Sequence, residues 1–153
     1  MKGSPILYVA ADGSLYDATT AYITEKAIDN AVILGGTGAV GAACEDNLDA
    51  LGVTNERIFG TTRCDTALAI VEAYDDLYNK NAQAIAFATC DEFADALSGG
   101  VLSAALEIPF LLVSDTRAPA EGIEDYIASY DVKTVIVYGG EGALKTETIE
   151  NLL

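Results

Sequence analysis

Asp91-Glu92-Phe93-Ala94-Asp95-Ala96-Leu97-Ser98-Gly99-Gly100-Val101-Leu102-Ser103-Ala104-Ala105-Leu106, running almost at once into Pro109-Phe110-Leu111-Leu112-Val113, decides the fold of this chain. It reads as a buried helix, opened by Asp91 as N-cap, that feeds a buried strand. Almost every position from Ala94 to Leu106 is apolar or small, and a helix without a polar face is normally enclosed by protein on all sides. Asp95 is the exception, and a buried carboxylate needs a partner. Gly99 and Gly100 each cost about 1 kcal/mol relative to alanine in a helix interior, a cost tolerated where another backbone must come close.

Outward from this stretch, strands and helices alternate. Short apolar runs predict strands at residues 5–9, 31–34, 57–59, 84–89, 110–114 and 134–138. Helices are expected at 17–28, with Ala18, Tyr22 and Ala27 or Ile28 inward, and at 40–51, stopped by Gly52. Thr62 and Asp65 have the spacing of a capping box, opening a helix whose apolar stripe runs from Ala67 to Tyr78. Two more helices are expected at 118–130 and 143–153. Alternation of this kind implies parallel pairing and right-handed crossovers. The fold class is α/β: a three-layer sandwich with a mostly parallel sheet and helices on both faces, Rossmann-like or flavodoxin-like.

The chain also repeats itself. Pro5-Ile-Leu-Tyr-Val returns as Pro109-Phe-Leu-Leu-Val, Tyr22-Ile23 as Tyr126-Ile127, Gly35-Gly36-Thr37-Gly38-Ala39 as Gly139-Gly140-Glu141-Gly142-Ala143, and Asn47-Leu48 as Asn151-Leu152. All share one ungapped offset of 104 residues, as between Gly35 and Gly139. Residues 57–153 then form one complete unit, and 5–52 the second half of a preceding one, within a single α/β domain spanning 5–153. Residues 1–4 read as an added leader. Repeat units commonly need neighbours to cover their faces, so sister repeats or a homo-oligomer are expected partners.

Composition narrows the function. Twenty-four acidic residues against eight basic ones give a formal charge of −16, which argues against binding a nucleic acid through its phosphates. The longest uncharged apolar run is far short of the roughly 20 residues a bilayer requires, so no membrane insertion is expected. The absence of histidine removes the commonest general base and metal ligand. Cys44, Cys64 and Cys90 lack metal-site spacing. Cys44 reads as a small buried hydrophobe, whereas Cys64 and Cys90 each follow a strand, and parallel strands would carry both to one sheet edge. There a disulfide and two free thiols both remain open.

Among candidate site residues, Arg63 and Asp95 each begin a helix after a strand, and a buried Asp95 needs such a cation. The glycine-rich stretches beginning at Gly35 and at Gly139-Gly140 lie between strand and helix, where amides could cradle phosphate. They lack the Walker ending and the full dinucleotide spacing, and Glu141 would repel an anion. Tight-turn geometry is the simpler reading. Ser98 has no base to activate it. Leu111 and Leu112 read first as core. The acidic positions Glu45, Asp46, Asp49, Asp75, Asp76, Glu121, Glu124 and Asp125 read as solvated surface. Calcium could bridge some of them to a polymer, although no EF-hand-like spacing supports it. No other cofactor is expected.

Four segments in order, Arg57-Ile-Phe-Gly-x-x-Arg63-x-x-Thr66-Ala67, Phe93-Ala-Asp95-Ala-Leu-Ser98, Pro109-Phe-Leu-Leu-Val and Val135-Ile-Val-Tyr-Gly-Gly-x-Gly-Ala, resemble the cell-wall-binding repeat, type 2, of Gram-positive surface proteins. The resemblance covers nearly the whole chain. It implies a non-enzymatic, extracellular anchor whose tandem α/β repeats, often three, associate with one another and hold an exported protein to an anionic wall polymer or glycan. Arg63, Thr66, Asp95, Ser98, Leu111, Leu112, Gly139 and Gly140 are the matching positions, with the Pro-Φ-Leu-Leu segment implicated in attachment. Cys64 stands where the family usually has an aromatic, and Gly99-Gly100 interrupts a helix usually rich in alanine. The alternative is a nucleotide- or sugar-phosphate-binding α/β domain using the glycine turns.

Overall fold

The computed structural model describes residues 4–153, so most of the expected leader lies outside the described residues. Contacts divide the chain into two compact units, one ending at Phe59 and the other beginning at Gly60.

In the first unit, helix α1 (Asp17–Glu25) precedes strand β1 (Asn30–Leu34), helix α2 (Ala43–Ala50) and strand β2 (Thr54–Ile58). β1 and β2 pair in parallel from Asn30↔Thr54 to Leu34↔Ile58. Ile23, Ile33, Cys44, Leu48 and Val53 form the core. The strand expected at residues 5–9 is not formed: only an antiparallel bridge joins Val9 to Leu15. A strand needs a neighbour to take its hydrogen bonds, and among the described residues this segment is offered none beyond that bridge. α1 buries Thr19 and Ile23, not Ala18 and Tyr22. The Thr19 hydroxyl is satisfied by donating to Tyr8 O at 2.8 Å.

The second unit holds helix α3 (Arg63–Ala73), strand β3 (Ala84–Thr89), helix α4 (Ala94–Leu106), strand β4 (Phe110–Val113), helix α5 (Ile123–Ala128), strand β5 (Thr134–Tyr138) and helix α6 (Thr146–Glu150). Its sheet has the order β4-β3-β5, all parallel. Thus the α/β, parallel reading holds, but the strands divide between two sheets instead of forming one.

The capping box forms as the spacing predicts: Asp65 N donates to Thr62 Oγ1 and Thr62 N to Asp65 Oδ2 at 2.8 Å. Such a cap contributes about 1 kcal/mol. α3 nevertheless ends at Ala73, and two short 3₁₀ turns, Asp75–Leu77 and Lys80–Ala82, lead into β3.

β3 is the centre of this unit, with Ile85, Ala86, Phe87 and Ala88 fully buried. Successive strand side chains point to opposite faces. Ile85 and Phe87 join Leu68 and Val71 of α3, Leu111 and Val113 of β4, Ile123 and Ile127 of α5 and Ile149 of α6 in one cluster. Ala86 and Ala88 lie on the other face, which α4 covers. Helices therefore sit on both faces of this sheet.

Candidate functional site

In parallel α/β sheets, ligands bind outside the carboxyl ends of the strands, where the winding direction reverses. Here that place is the end of β3, flanked by β4 and β5. Cys90 follows β3 and is joined by a disulfide to Cys64 in the first turn of α3, with Cα atoms 6.2 Å apart. Arg63 Nη1 donates to Cys90 O at 3.0 Å.

Asp91 comes next. It does not cap α4, whose N-cap position is Phe93 and carries no side-chain cap. Instead Asp91 Oδ2 accepts from Ser114 Oγ at 2.7 Å, and its N–H donates to Thr89 Oγ1 at 3.1 Å. Its Oδ1 lies 3.2 Å from Arg117 Nη2 as an ion pair without an aligned hydrogen bond. Asp115, after β4, accepts from Lys145 N at 3.1 Å and Thr148 Oγ1 at 2.6 Å, tying the edge to the start of α6. These bonds, the Thr148 hydroxyl first, hold the Asp115 carboxyl below its ordinary value.

Arg63 and Asp95 are not brought together as an ion pair. Among the described residues the guanidinium donates to the strand-end carbonyl of Cys90 and to no carboxylate, and the half-buried Asp95 points to the other side of the edge. Its Oδ2 would lie 2.6 Å from a Cβ at Gly139, whose φ of +110° favours glycine in any case. Among the described residues Asp95 has no side-chain hydrogen-bond donor.

Thr66 serves the chain's turn into α3: its hydroxyl donates to Thr62 O at 2.9 Å and accepts from Gly60 N at 3.0 Å. Ser98 donates back into its own helix, to Ala94 O and Asp95 O, both at 3.2 Å. Leu111 is fully buried in the core and Leu112 half-buried beside it. Gly140 accepts the amides of Ala143 and Leu144 through its carbonyl, closing the turn after β5.

α4 departs most from expectation. It is not enclosed: only Gly99 and Ser103 are buried. What approaches Gly99 is not backbone but the ring of Tyr138, and Phe110 approaches Gly100. With small residues facing the sheet, the large apolar ones face outward. Phe93, Leu97 and Val101 are 74%, 69% and 73% exposed, and Leu102 and Leu106 continue the ridge.

Three acidic positions read as solvated are engaged, Asp49 by a single exposed hydrogen bond from Asn55 Nδ2 at 2.8 Å and two others more fully. Glu45 forms a two-pronged pair with Arg57 at 2.6 and 2.5 Å. Asp75 accepts from Lys80 Nζ and Tyr130 OH, both at 2.5 Å, and from Tyr126 OH at 3.3 Å. A lone arginine inside a strand was the available signal for Glu45. For Asp91, Ser114 and Arg117, it was that residues following two parallel neighbours must share an edge.

This edge offers no nucleophile paired with a base. Among the described residues no group of three or more His, Cys, Asp or Glu side chains could hold a metal ion, and no helix is long and apolar enough to cross a membrane.

The second unit is thus an α/β module with a three-stranded parallel sheet, an acidic strand-end edge and an uncovered apolar helix. Residues 57–150 match the family described as Cell wall binding domain 2 (CWB2), and the chain belongs to that family. It is similar to the N-acetylmuramoyl-L-alanine amidase LytC of Bacillus subtilis (strain 168), with 35% identity over 72 residues, covering 47% of this chain and 14% of that protein. Its fold is that of Cwp6 from Clostridium difficile, with a TM-score of 0.83 at 23% identity, covering 97% of this chain and 23% of that one. Cwp8 from Clostridium difficile shares it, with a TM-score of 0.78 at 24% identity, covering 99% and 25%. The chain spans a quarter or less of the length of each of these relatives.

Proposed function

We propose that this chain is a noncovalent wall anchor that displays an exported protein on a Gram-positive surface, binding an anionic wall polymer or glycan and packing against sister repeats through α4. The observation that carries the reading is the ridge of Phe93, Leu97, Val101, Leu102 and Leu106 on a chain of the wall-binding family. A contiguous exposed apolar face marks an interaction surface. The ridge is also uncharged on a chain of net charge −16. Two such chains repel over most of their surfaces, so an uncharged ridge is where sister modules can meet. The module is read as non-catalytic, since Ser98 is turned into its own helix.

The glycine turns favour no phosphate ligand: Asp95 stands against Gly139, and Glu141 lies in the second turn. Arg63, Arg117, Asp95 and the strand-end carbonyls are the positions offered to a polymer, with calcium as a bridge to its anionic groups.

Sedimentation with purified cell walls, with and without calcium and across ionic strength, tests the anchor. Absence of binding in every condition would sink anchoring by this chain alone. A Leu97→Lys, Val101→Glu variant should remain folded and lose self-association by light scattering.

A further inference from the structure

We propose that the free edge of β5, with the carbonyls of Gly139 and Leu144 at its end, is a docking site for a parallel strand carrying an arginine, supplied by an adjoining module of the same kind. The proposal rests on reading the chain as a module that adjoins its like, and names the contact.

The first unit shows the occupied form. β2 lies along β1, and Gly35 N continues the ladder by donating to Ile58 O at 2.9 Å. Arg57 of β2, its side chain 9% exposed, donates through Nη1 to Gly35 O at 2.6 Å and Val40 O at 2.9 Å, while Glu45 takes its other two nitrogens.

The second unit shows the same frame without the strand. β5 stands 104 residues after β1 and is followed by the same turn, with φ of +113° at Gly35 and +110° at Gly139. Ala39 N and Val40 N donate to Gly36 O; Ala143 N and Leu144 N donate to Gly140 O. Gly139 O and Leu144 O therefore take the places of Gly35 O and Val40 O, and among the described residues neither receives a hydrogen bond.

β5 pairs with β3 on one side only. Ile33 under β2 is 6% exposed, whereas its counterpart Val137 is 38% exposed. A groove of ≈ 330 Å³ runs there, lined by Val135, Val137, Leu144 and Ile149 and bordered by Glu141 and Glu150. Ile149 stands where Glu45 stands in the first unit, so the arginine would keep its two carbonyl acceptors and find those two glutamates as its acidic neighbours. An edge strand with unpaired amides and carbonyls is a template for another strand, and addition of a strand to such an edge is a recurring mode of recognition.

The test extends the full chain after Leu153 by a copy of its own residues 50–59, which places the appended arginine one repeat after Arg57. The comparisons are a scrambled extension and one with alanine replacing that arginine. Hydrogen exchange at the outward β5 amides and at Gly139 should slow at least tenfold in the extended chain. Most of that protection should disappear with alanine. Added as a free peptide to the unextended chain, the same ten residues should shift NMR signals of Val137, Gly139 and Leu144. Equal exchange in the true and scrambled extensions, with no peptide-induced shifts, overturns the proposal. Wall sedimentation of the unextended chain fails or succeeds independently of these outcomes, so the two readings fall separately.

Discussion

Tyr138 lies flat across Gly99: a Cβ on that glycine would stand 2.1 Å from its ring, while the Tyr138 hydroxyl sits 2.9 Å from Ser103 Oγ. The same ring meets Phe110 edge to face at 5.5 Å. Gly99→Ala should therefore destabilise the second unit by about 2 kcal/mol, because overpacking outweighs the helix-propensity gain of about 1 kcal/mol. At Gly100 a Cβ would meet Phe110 at 3.6 Å, an ordinary contact. Gly100→Ala should be neutral or stabilising by up to about 1 kcal/mol. Urea unfolding should show a clear loss of stability for Gly99→Ala and none for Gly100→Ala; equal losses would contradict this packing.

The disulfide closes a loop between Cys64 and Cys90, 26 residues apart. Chain-entropy considerations put its contribution near 3 kcal/mol. A Cys90→Ser variant should show a matching loss in urea. In denaturant, thiol titration should find one reactive thiol without reductant and three with it. The single one is Cys44, which burial holds above its ordinary pKa in the fold.

Asp75 should give the second unit an acid-sensitive stability. Its hydrogen bond from Lys80, then that from Tyr130, hold its carboxyl below the ordinary 3.8. A depressed folded value means the stabilisation is present above the unfolded-state pKa and is lost as pH falls through the folded one. The stability difference between the wild type and Asp75→Asn should be constant from about pH 8 to 5 and shrink below about pH 4.

The alkaline side follows from the same cluster. Burial pushes Tyr130 up to about 12 and raises Tyr126 as well. Raised values confer stability that is full below the unfolded pKa near 10 and is lost as pH rises through the folded value. Absorbance titration should show these two tyrosines ionising above the ordinary phenol value of 10.

Arg57→Ala should destabilise the first unit by about 2 kcal/mol, since Gly35 O and Val40 O lose their donor and Glu45 its partner. Arg57→Lys should recover little of this loss, because an ammonium cannot reproduce the fork that serves both the carbonyls and the carboxylate. Thermal melts of the two variants, both well below wild type, would check it.

Element types were legible where local chemistry decides them. The limits of β3, the end of α4 and the Thr62–Asp65 cap follow from apolar run length and side-chain capping, whereas the start of α4 at Ala94, three residues beyond the expected cap Asp91, does not. What sequence could not carry was direction. Hydropathy says that α4 seeks cover, not that this chain supplies it, so Leu97 and Val101 read as core yet stand outside. Likewise the strand-to-helix spacing points to one edge for Arg63 and Asp95, but where each side chain turns depends on neighbours distant in sequence, here Cys90 O and Gly139. The segment at residues 5–9 has a strand's composition without a strand's partner.

The pairing order of the strands also sets the order in which the chain can fold as it is made. Asn30 meets Thr54, so the first sheet can close once Ile58 has emerged. The second cannot: β3, fully apolar at its centre, gains β4 early but has no neighbour on its other side until residues 134–138 are synthesised. Throughout that interval Ala84–Thr89 is an uncharged β-prone segment with an open edge, the condition under which nascent chains aggregate. The hazard to this chain in biogenesis is therefore concentrated in one six-residue strand, for as long as the ribosome takes to travel from Thr89 to Tyr138.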